Sequence, residues 1–311
     1  WASGTGGTVI RTIDGGKNWS VQTVAGAEQL DFRGIRAFDE NTAVIISSGP
    51  AEKGQARIYR TTDGGRNWQQ VFEEKRAGIF FDAIAFWDRQ HGIVLSDPVD
   101  GKFALFTTED GGASWKQLAP AALPAALPSE GAFAASNSCL VVQGRSNVWF
   151  ATGGASAARV FRSNDRGKTW QVSETPLHPQ NASSGIFSLA FPTSKSGVAV
   201  GGDYQHPESS DLPNVLATED GGKTWRAEKT NPPGMYLSSV ASVWHPGKDS
   251  LLAAGINGLL HGDGGFPLDK KESDANLNAV AGTGANIRIS WWAVGPKGIV
   301  LRRTKLDMGN N

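Results

Sequence analysis

The chain has 311 residues, with 39 glycines, 11 tryptophans and 30 basic against 30 acidic side chains. That balance gives no electrostatic footprint for a nucleic acid, and no run of about 18 apolar residues is present to cross a membrane as a helix. High glycine and tryptophan without long apolar stretches point to many short strands joined by tight turns.

One pattern recurs along the chain, Ser/Thr-x-Asp-x-Gly-x-x-Trp. It begins with Thr12, Asp14, Gly16 and Trp19 and returns with Thr61, Asp63, Gly65 and Trp68. Three more copies follow at Thr108, Asp110, Gly112 and Trp115, at Ser163, Asp165, Gly167 and Trp170, and at Thr218, Asp220, Gly222 and Trp225. A sixth keeps Asp263 and Gly265 after His261, with Leu268 in the tryptophan position. Successive aspartates lie 49, 47, 55, 55 and 43 residues apart, the length of one four-stranded propeller blade. The chemistry of the motif is that of a tight hairpin. Aspartate accepts backbone N–H groups, glycine supplies a positive φ, and the tryptophan ring packs beside the turn. Asp14, Asp63, Asp110, Asp165, Asp220 and Asp263 therefore have structural roles. One carboxylate per loop is too few for calcium, which takes about 6–8 oxygens.

Around these turns the strands fall into place. Strands A are expected at 33–38, 82–86, 138–142, 187–191, 238–243 and 278–281. Strands B are expected at 43–47, 92–96, 148–152, 197–201, 251–255 and 291–295. Strands C lead into each motif, as 57–61 does, and strands D leave it, as 68–72 does. Trp292, Ala293, Gly295, Gly298, Val300 and Arg302 repeat the spacing of Trp1, Ala2, Gly4, Gly7, Val9 and Arg11. Both stretches thus read as strands B and C, of two different blades. The expected fold is all-β, a single seven-bladed β-propeller domain over residues 1–311, or six-bladed if one terminal piece forms no blade. The first and last blades are incomplete, and the tail 305–311 or residues ahead of Trp1 are expected to fill the gap. Because the chain opens inside a repeat, a preceding leader and an exported location, periplasmic or extracellular, are expected.

The motif and its spacing resemble the Asp-box, or BNR, repeat of the sialidase-like propellers. Within that superfamily the resemblance is to photosystem II stability/assembly factor-like proteins, carried by Phe32, Arg33, Gly34 and Ile35 and by the phrase from Trp1 to Thr12. The resemblance implies assembly-factor or scaffold behaviour.

The motif turns lie at one end of each blade, so the D–A and B–C connections share the other end. The long ones are 49–56, 119–137, 173–185 and 202–213, and long loops on a rigid scaffold carry function. The strand A starts place Arg33, Asp82, Ser138, Phe187, Ser238 and Asn278 at the mouth, with an Arg33–Asp82 ion pair between adjacent blades. Arg33, Asp82, Phe187, Tyr204, His206, Tyr236, Ser238 and Asn278 are the candidate partner- or ligand-binding residues, and 119–137 reads as an apolar flap. A sialidase constellation is mostly missing: no other strand A starts with arginine, and there are only three tyrosines. An inverting glycosidase needs only two carboxylates about 6.5–9.5 Å apart, for which Asp82, Asp97 and Asp203 are the candidates. His206, Glu208 and Asp203 offer metal-ligating atoms without a ligand spacing, so no metal or cofactor is expected. Cys139 stands alone among apolar neighbours and reads as a buried small side chain. The expected function is a non-enzymatic, monomeric scaffold binding a protein or small ligand on the long-loop face. The alternative is a glycoside hydrolase acting through paired carboxylates.

Overall fold

The computed structural model describes residues 1–120, 122–229, 235–245, 248–263, 268–285 and 288–306. The chain has the seven-bladed β-propeller fold, built from seven antiparallel sheets. Blade 1 has three strands, Ala2–Ser3, Thr8–Arg11 and Ser20–Thr23. Blade 2 has Phe32–Ala37, Ala43–Ser47, Ala56–Thr61 and Gln69–Glu74, and blade 3 has Phe81–Phe86, Gly92–Val99, Lys102–Thr108 and Lys116–Leu118. Blade 4 has Leu140–Gln143, Asn147–Ala151, Arg159–Ser163 and Gln171–Glu174. Blade 5 has Ser184–Ala190, Gly197–Asp203, Val215–Thr218 and Arg226–Ala227, and blade 6 has Ser239–His245, Lys248–Gly255, Gly258–Asp263 and Lys270–Ser273. Blade 7 has Ala279–Ala285, Arg288–Val294 and Val300–Leu306. The side chain of Asp263 and the tail beyond Leu306 lie outside the described residues. No helix among the described residues is long and apolar enough to cross a membrane.

The chain divides into two compact units, residues 1–148 with 163–171, and 149–162 with 172–311. In the first, Val44, Ile46, Ile58, Phe81, Ile84, Val94, Phe106 and Trp115 form one apolar cluster between blades 2 and 3. Strand B of blade 2 is buried along its whole length, Ala43 to Ser47. It therefore reads as a continuous apolar run, as a strand covered on both faces does. In the second unit Val198, Val200, Val215, Leu237, Val240, Leu251 and Leu260 do the same for blades 5 and 6.

Each of the five full motif turns closes by the same network. In the third, Thr108 Oγ1 donates to Asp110 Oδ1 at 2.7 Å and accepts the Gly112 N–H at 3.0 Å, while Ser114 N and Oγ donate to the Asp110 carboxylate at 2.9 and 2.6 Å. Gly112 has φ +82°, which only glycine adopts without strain. A further polar position emerges. Asn18, Asn67, Ser114, Thr169 and Thr224 each donate a side-chain hydrogen bond to their motif carboxylate. Arginines preceding the motif hydroxyl stitch one turn to another: Arg11, Arg60 and Arg162 donate to the carbonyls of Gly64, Gly111 and Gly222.

The two halves of the network differ in burial. The Asp110 carboxylate is exposed, whereas Thr108 is 2% exposed and its bond from Gly112 is buried. Asp110→Ala is accordingly expected to lower stability by only about 1 kcal/mol, because water replaces the lost acceptor. Thr108→Val leaves the Gly112 N–H unpaired in the interior and is expected to lower it by about 1–3 kcal/mol. Urea denaturation of both variants checks the order; equal losses would contradict the assignment.

Candidate functional site

Three strand A starts share one backbone device. The pairing of strands A and B skips a residue between Phe32 and Gly34, between Phe81 and Ala83, and between Ile186 and Ser188. The bulged residues are Arg33, Asp82 and Phe187, equivalent positions at the long-loop end of blades 2, 3 and 5. A bulge re-aims its side chain and often marks a site. In blades 6 and 7 the corresponding Ser238 and Asn278 stand just before strand A, their N–H groups bound to Ala254 and Val294 carbonyls. Ser138 precedes Leu140 in blade 4 and lies 2.7 Å from the Ser136 hydroxyl.

In the first unit the bulged residues do not form the ion pair that adjacency suggested. Arg33 is bound by its near neighbour Asp31 at 2.7 Å and donates to the Ala134 carbonyl at 3.2 Å. Asp82, rather than lining an open rim, is 1% exposed, and its Oδ2 has no hydrogen-bond partner among the described residues. Burial first, then the neighbouring Asp97, push its carboxyl well above the ordinary range against the pull of Arg33. Burial likewise raises partly buried Asp97 to about 6, although its Oδ1 accepts the Ala132 N–H at 3.0 Å. Cys139 is fully buried, and burial followed by the Asp82 charge pushes its thiol up.

The flap covers part of this region, at Asp97. Residues 122–137 fold back on their own unit: Ala126 N–H donates to Gly101, Ala132 N–H to Asp97, and Arg33 ties down Ala134. At its end Asn137, at φ +64°, inserts between two inner strands. Its Oδ1 accepts the Ile84 N–H at 2.8 Å and its Nδ2 donates to the Ile84 carbonyl at 3.2 Å. The reason lies in Gly34. In the second unit the hydroxyls of Ser188 and Ser239 accept the N–H groups of Val240 and Val280, equivalent to that of Ile84, from the neighbouring blade. Blade 2 has Gly34 in that position, without a hydroxyl, and a Cβ there would stand 2.6 Å from Asn137 Oδ1. The flap thus supplies the acceptor that the glycine lacks.

In the second unit the mouth is aromatic. Phe187, 2% exposed, meets Tyr236 edge-to-face at 4.8 Å and Tyr204 at 6.1 Å. Burial, with Tyr204 beside it, pushes the Tyr236 hydroxyl above its ordinary range. Tyr204 stands 48% exposed on this base, and Ile256, at the adjoining B–C turn of blade 6, is 40% exposed. The loop after Asp203 is clamped: Tyr236 N–H donates to the Pro207 carbonyl and Asn257 Nδ2 to Glu208 Oε1 at 2.6 Å. It walls a shallow depression of about 540 Å³ lined by His206, Pro207, Glu208, Ser209 and Asp211.

Asp203 is the organiser of that loop. Its carboxylate receives Ser183 Oγ at 2.6 Å, Asn181 Nδ2 at 2.7 Å, His206 Nδ1 at 2.9 Å and Gln205 N at 2.9 Å. Burial alone would raise its carboxyl, but these donors hold it well below the usual range. A carboxylate so occupied has no proton to give and no free oxygen for a base's work. Ser238 is also consumed in structure, its hydroxyl donating to the Asn278 carbonyl at 2.9 Å, while Asn278 itself is exposed. Asp31, Asn137 and Ile256 are absent from the sequence reading. Asp31, two residues before Arg33, was the legible one. Among the described residues, no group of three or more His, Cys, Asp and Glu side chains is placed to hold a metal ion.

No family model and no curated protein matches the chain. Solved structures do match it. YCF48 from Cyanidioschyzon merolae superposes with a TM-score of 0.59 at 18% identity, over 96% of this chain and 89% of that one. YCF48 bound to a D1 peptide gives 0.55 at 18% identity, over 96% and 88%. A protein of unknown function from Dyadobacter fermentans gives 0.50 at 11% identity, over 85% and 89%. The chain therefore shares its fold with these solved structures, YCF48 among them.

Proposed function

We propose that this protein is a non-enzymatic propeller that docks a polypeptide partner on the long-loop end of its second unit, in the manner of an assembly factor. The observation that carries the reading is the aromatic mouth. Tyr204 is exposed on a rigid base of Phe187 and Tyr236, with Ile256 exposed at the B–C turn of blade 6, and exposed aromatic side chains braced from below are the usual anchors of a binding surface. The peptide held by YCF48, a propeller of similar fold, supports a polypeptide as the occupant. The carboxylates that a glycosidase would use support the same choice from the other side. Asp82 is enclosed and Asp203 is spent on its own loop.

The test is binding to an array of peptides of about 12 residues, long enough when extended to cross the patch. Tyr204→Ala combined with Ile256→Ser is expected to weaken binding at least ~10-fold while leaving the unfolding midpoint unchanged. Binding that ignores both substitutions would contradict the site. Wild type is also expected to turn over no member of a panel of aryl glycosides and oligosaccharides; turnover abolished by Asp82→Asn or Asp203→Asn would establish the hydrolase instead.

A further inference from the structure

In the first unit, residues 130–136 lie against Asp97, and the backbone at both ends of the segment is bent against its preference. Ser129 has φ +63° and Asn137 φ +64°. Side-chain-bearing residues enter that left-handed region at a cost, and such positions collect at switch segments. Between these two bends, three side chains hold the segment down. Asp97 Oδ1 accepts the Ala132 N–H at 3.0 Å, and Arg33 Nη1 donates to the Ala134 carbonyl at 3.2 Å. The backbone of Phe133 hydrogen-bonds the buried Cys139 thiol. Gly131 lets the chain approach this closely, since a Cβ there would stand 3.1 Å from Asp97 Oδ1.

The closed position is a poor place for a charge on Asp97. Among the described residues its carboxyl has no ion pair and one donor, the Ala132 N–H, whereas Asp203 collects Ser183, Asn181 and Gln205. The groups around it supply no counter-charge. Asp82 is a second enclosed carboxyl, and Cys139 is a buried thiol. On the segment itself Glu130 accepts the Leu127 N–H at 2.8 Å. Arg33, which acts on Asp82, is paired with Asp31 at 2.7 Å. We infer that residues 130–136 form a lid over Asp97 that opens as pH rises, because the ionised carboxylate needs water that only the open position admits. Burial raises the Asp97 carboxyl to about 6 with the lid closed, and hydration in the open position returns it toward its ordinary value. The closed position therefore holds the proton more tightly. It is favoured below about pH 4, and that advantage is lost as pH rises through about 6.

The experiment is hydrogen exchange of the full chain at pH 5 and pH 8, with each amide's rate divided by its intrinsic rate at that pH. Protection of the Ala132 and Phe133 amides is expected to fall at least ~5-fold from pH 5 to pH 8 in the wild type, and to stay constant in Asp97→Asn, which cannot ionise. Exchange through the lid is a local opening, so it should be insensitive to low concentrations of urea, unlike that of Val94 on the strand that carries Asp97. Cys139, the chain's single cysteine, gives an independent readout. The rate at which a small neutral thiol reagent labels it, taken as the ratio of wild type to Asp97→Asn, is expected to rise at least ~5-fold over the same interval. Lid protection equal at both pH values, or falling equally in the variant, would overturn the inference. So would a fall that appears only in urea-sensitive exchange shared with Val94, or a labelling ratio that stays flat.

Discussion

At pH 8 the Asp97→Asn variant is expected to be more stable than the wild type, and at pH 4 the advantage should vanish. The Asp97 carboxyl is raised to about 6 by burial, from an ordinary value of 3.8. A carboxyl raised on folding holds its proton more tightly in the native state, so its contribution is fully present below about pH 4 and is lost as pH rises through about 6. The gap between 3.8 and 6 converts to about 3 kcal/mol at most. Solvent screening at a partly buried group brings this to about 1–2 kcal/mol. Asparagine keeps an oxygen for the Ala132 N–H without ionising. Asp82→Asn is expected to act in the same direction, and the loss there extends to higher pH because its carboxyl is raised by burial and by Asp97 together. The two aspartates titrate as a pair, so the double variant should gain less than the sum. Wild-type stability alone cannot show this. Asp14 and Asp63 are held at about 2, chiefly by the backbone N–H groups of Asn18 and Asn67, and favour the opposite trend. The difference between wild type and variant, from urea unfolding at pH 4, 6 and 8, cancels those terms. A gain independent of pH would contradict the assignment.

Asn137→Ala is expected to lower stability by about 2–3 kcal/mol. It leaves the Ile84 N–H and carbonyl without the amide that now holds both, and a stranded interior donor alone costs about 1–3 kcal/mol. Asn137→Gly separates the backbone from the side chain, since glycine accepts φ +64° freely. Both variants should lose the hydrogen-bond term, with glycine the milder by up to about 1 kcal/mol. Hydrogen exchange of the Ile84 amide should accelerate in both. Retained protection at Ile84 would contradict the account of Asn137 as the substitute for a missing serine.

The parts of this molecule legible in sequence were those under periodic constraint. The turn motif announces itself because each copy must satisfy the same N–H groups with the same side chains, and strand B, buried on both faces, is an unbroken apolar run. The equivalence of Arg33, Asp82 and Phe187 followed from aligning repeats, and the backbone register places all three on bulges. What each of them does was not legible, because it depends on which loop lands on it. Asp82 looks like a rim carboxylate but is enclosed, and nothing in an Ala- and Pro-rich stretch specifies that the loop lands on Asp97 and Ile84. Asp203 looked like a candidate acid. Its role as the anchor of its own loop depends on Ser183 and Asn181, some 20 residues earlier in the chain. Asn137 was invisible because its partner is an absence, the hydroxyl that Gly34 does not carry.

The most direct measurement of the central claim is hydrogen–deuterium exchange of the full chain with and without an array-selected peptide. If the aromatic mouth of the second unit is the docking surface, protection should rise at 203–209, 236–237 and 255–257, and the motif turns and the segment 131–137 should exchange as in the free protein. Protection confined to 131–137 and the amides around Asp82, or to the motif turns, with none around Tyr204 and Ile256, would contradict it.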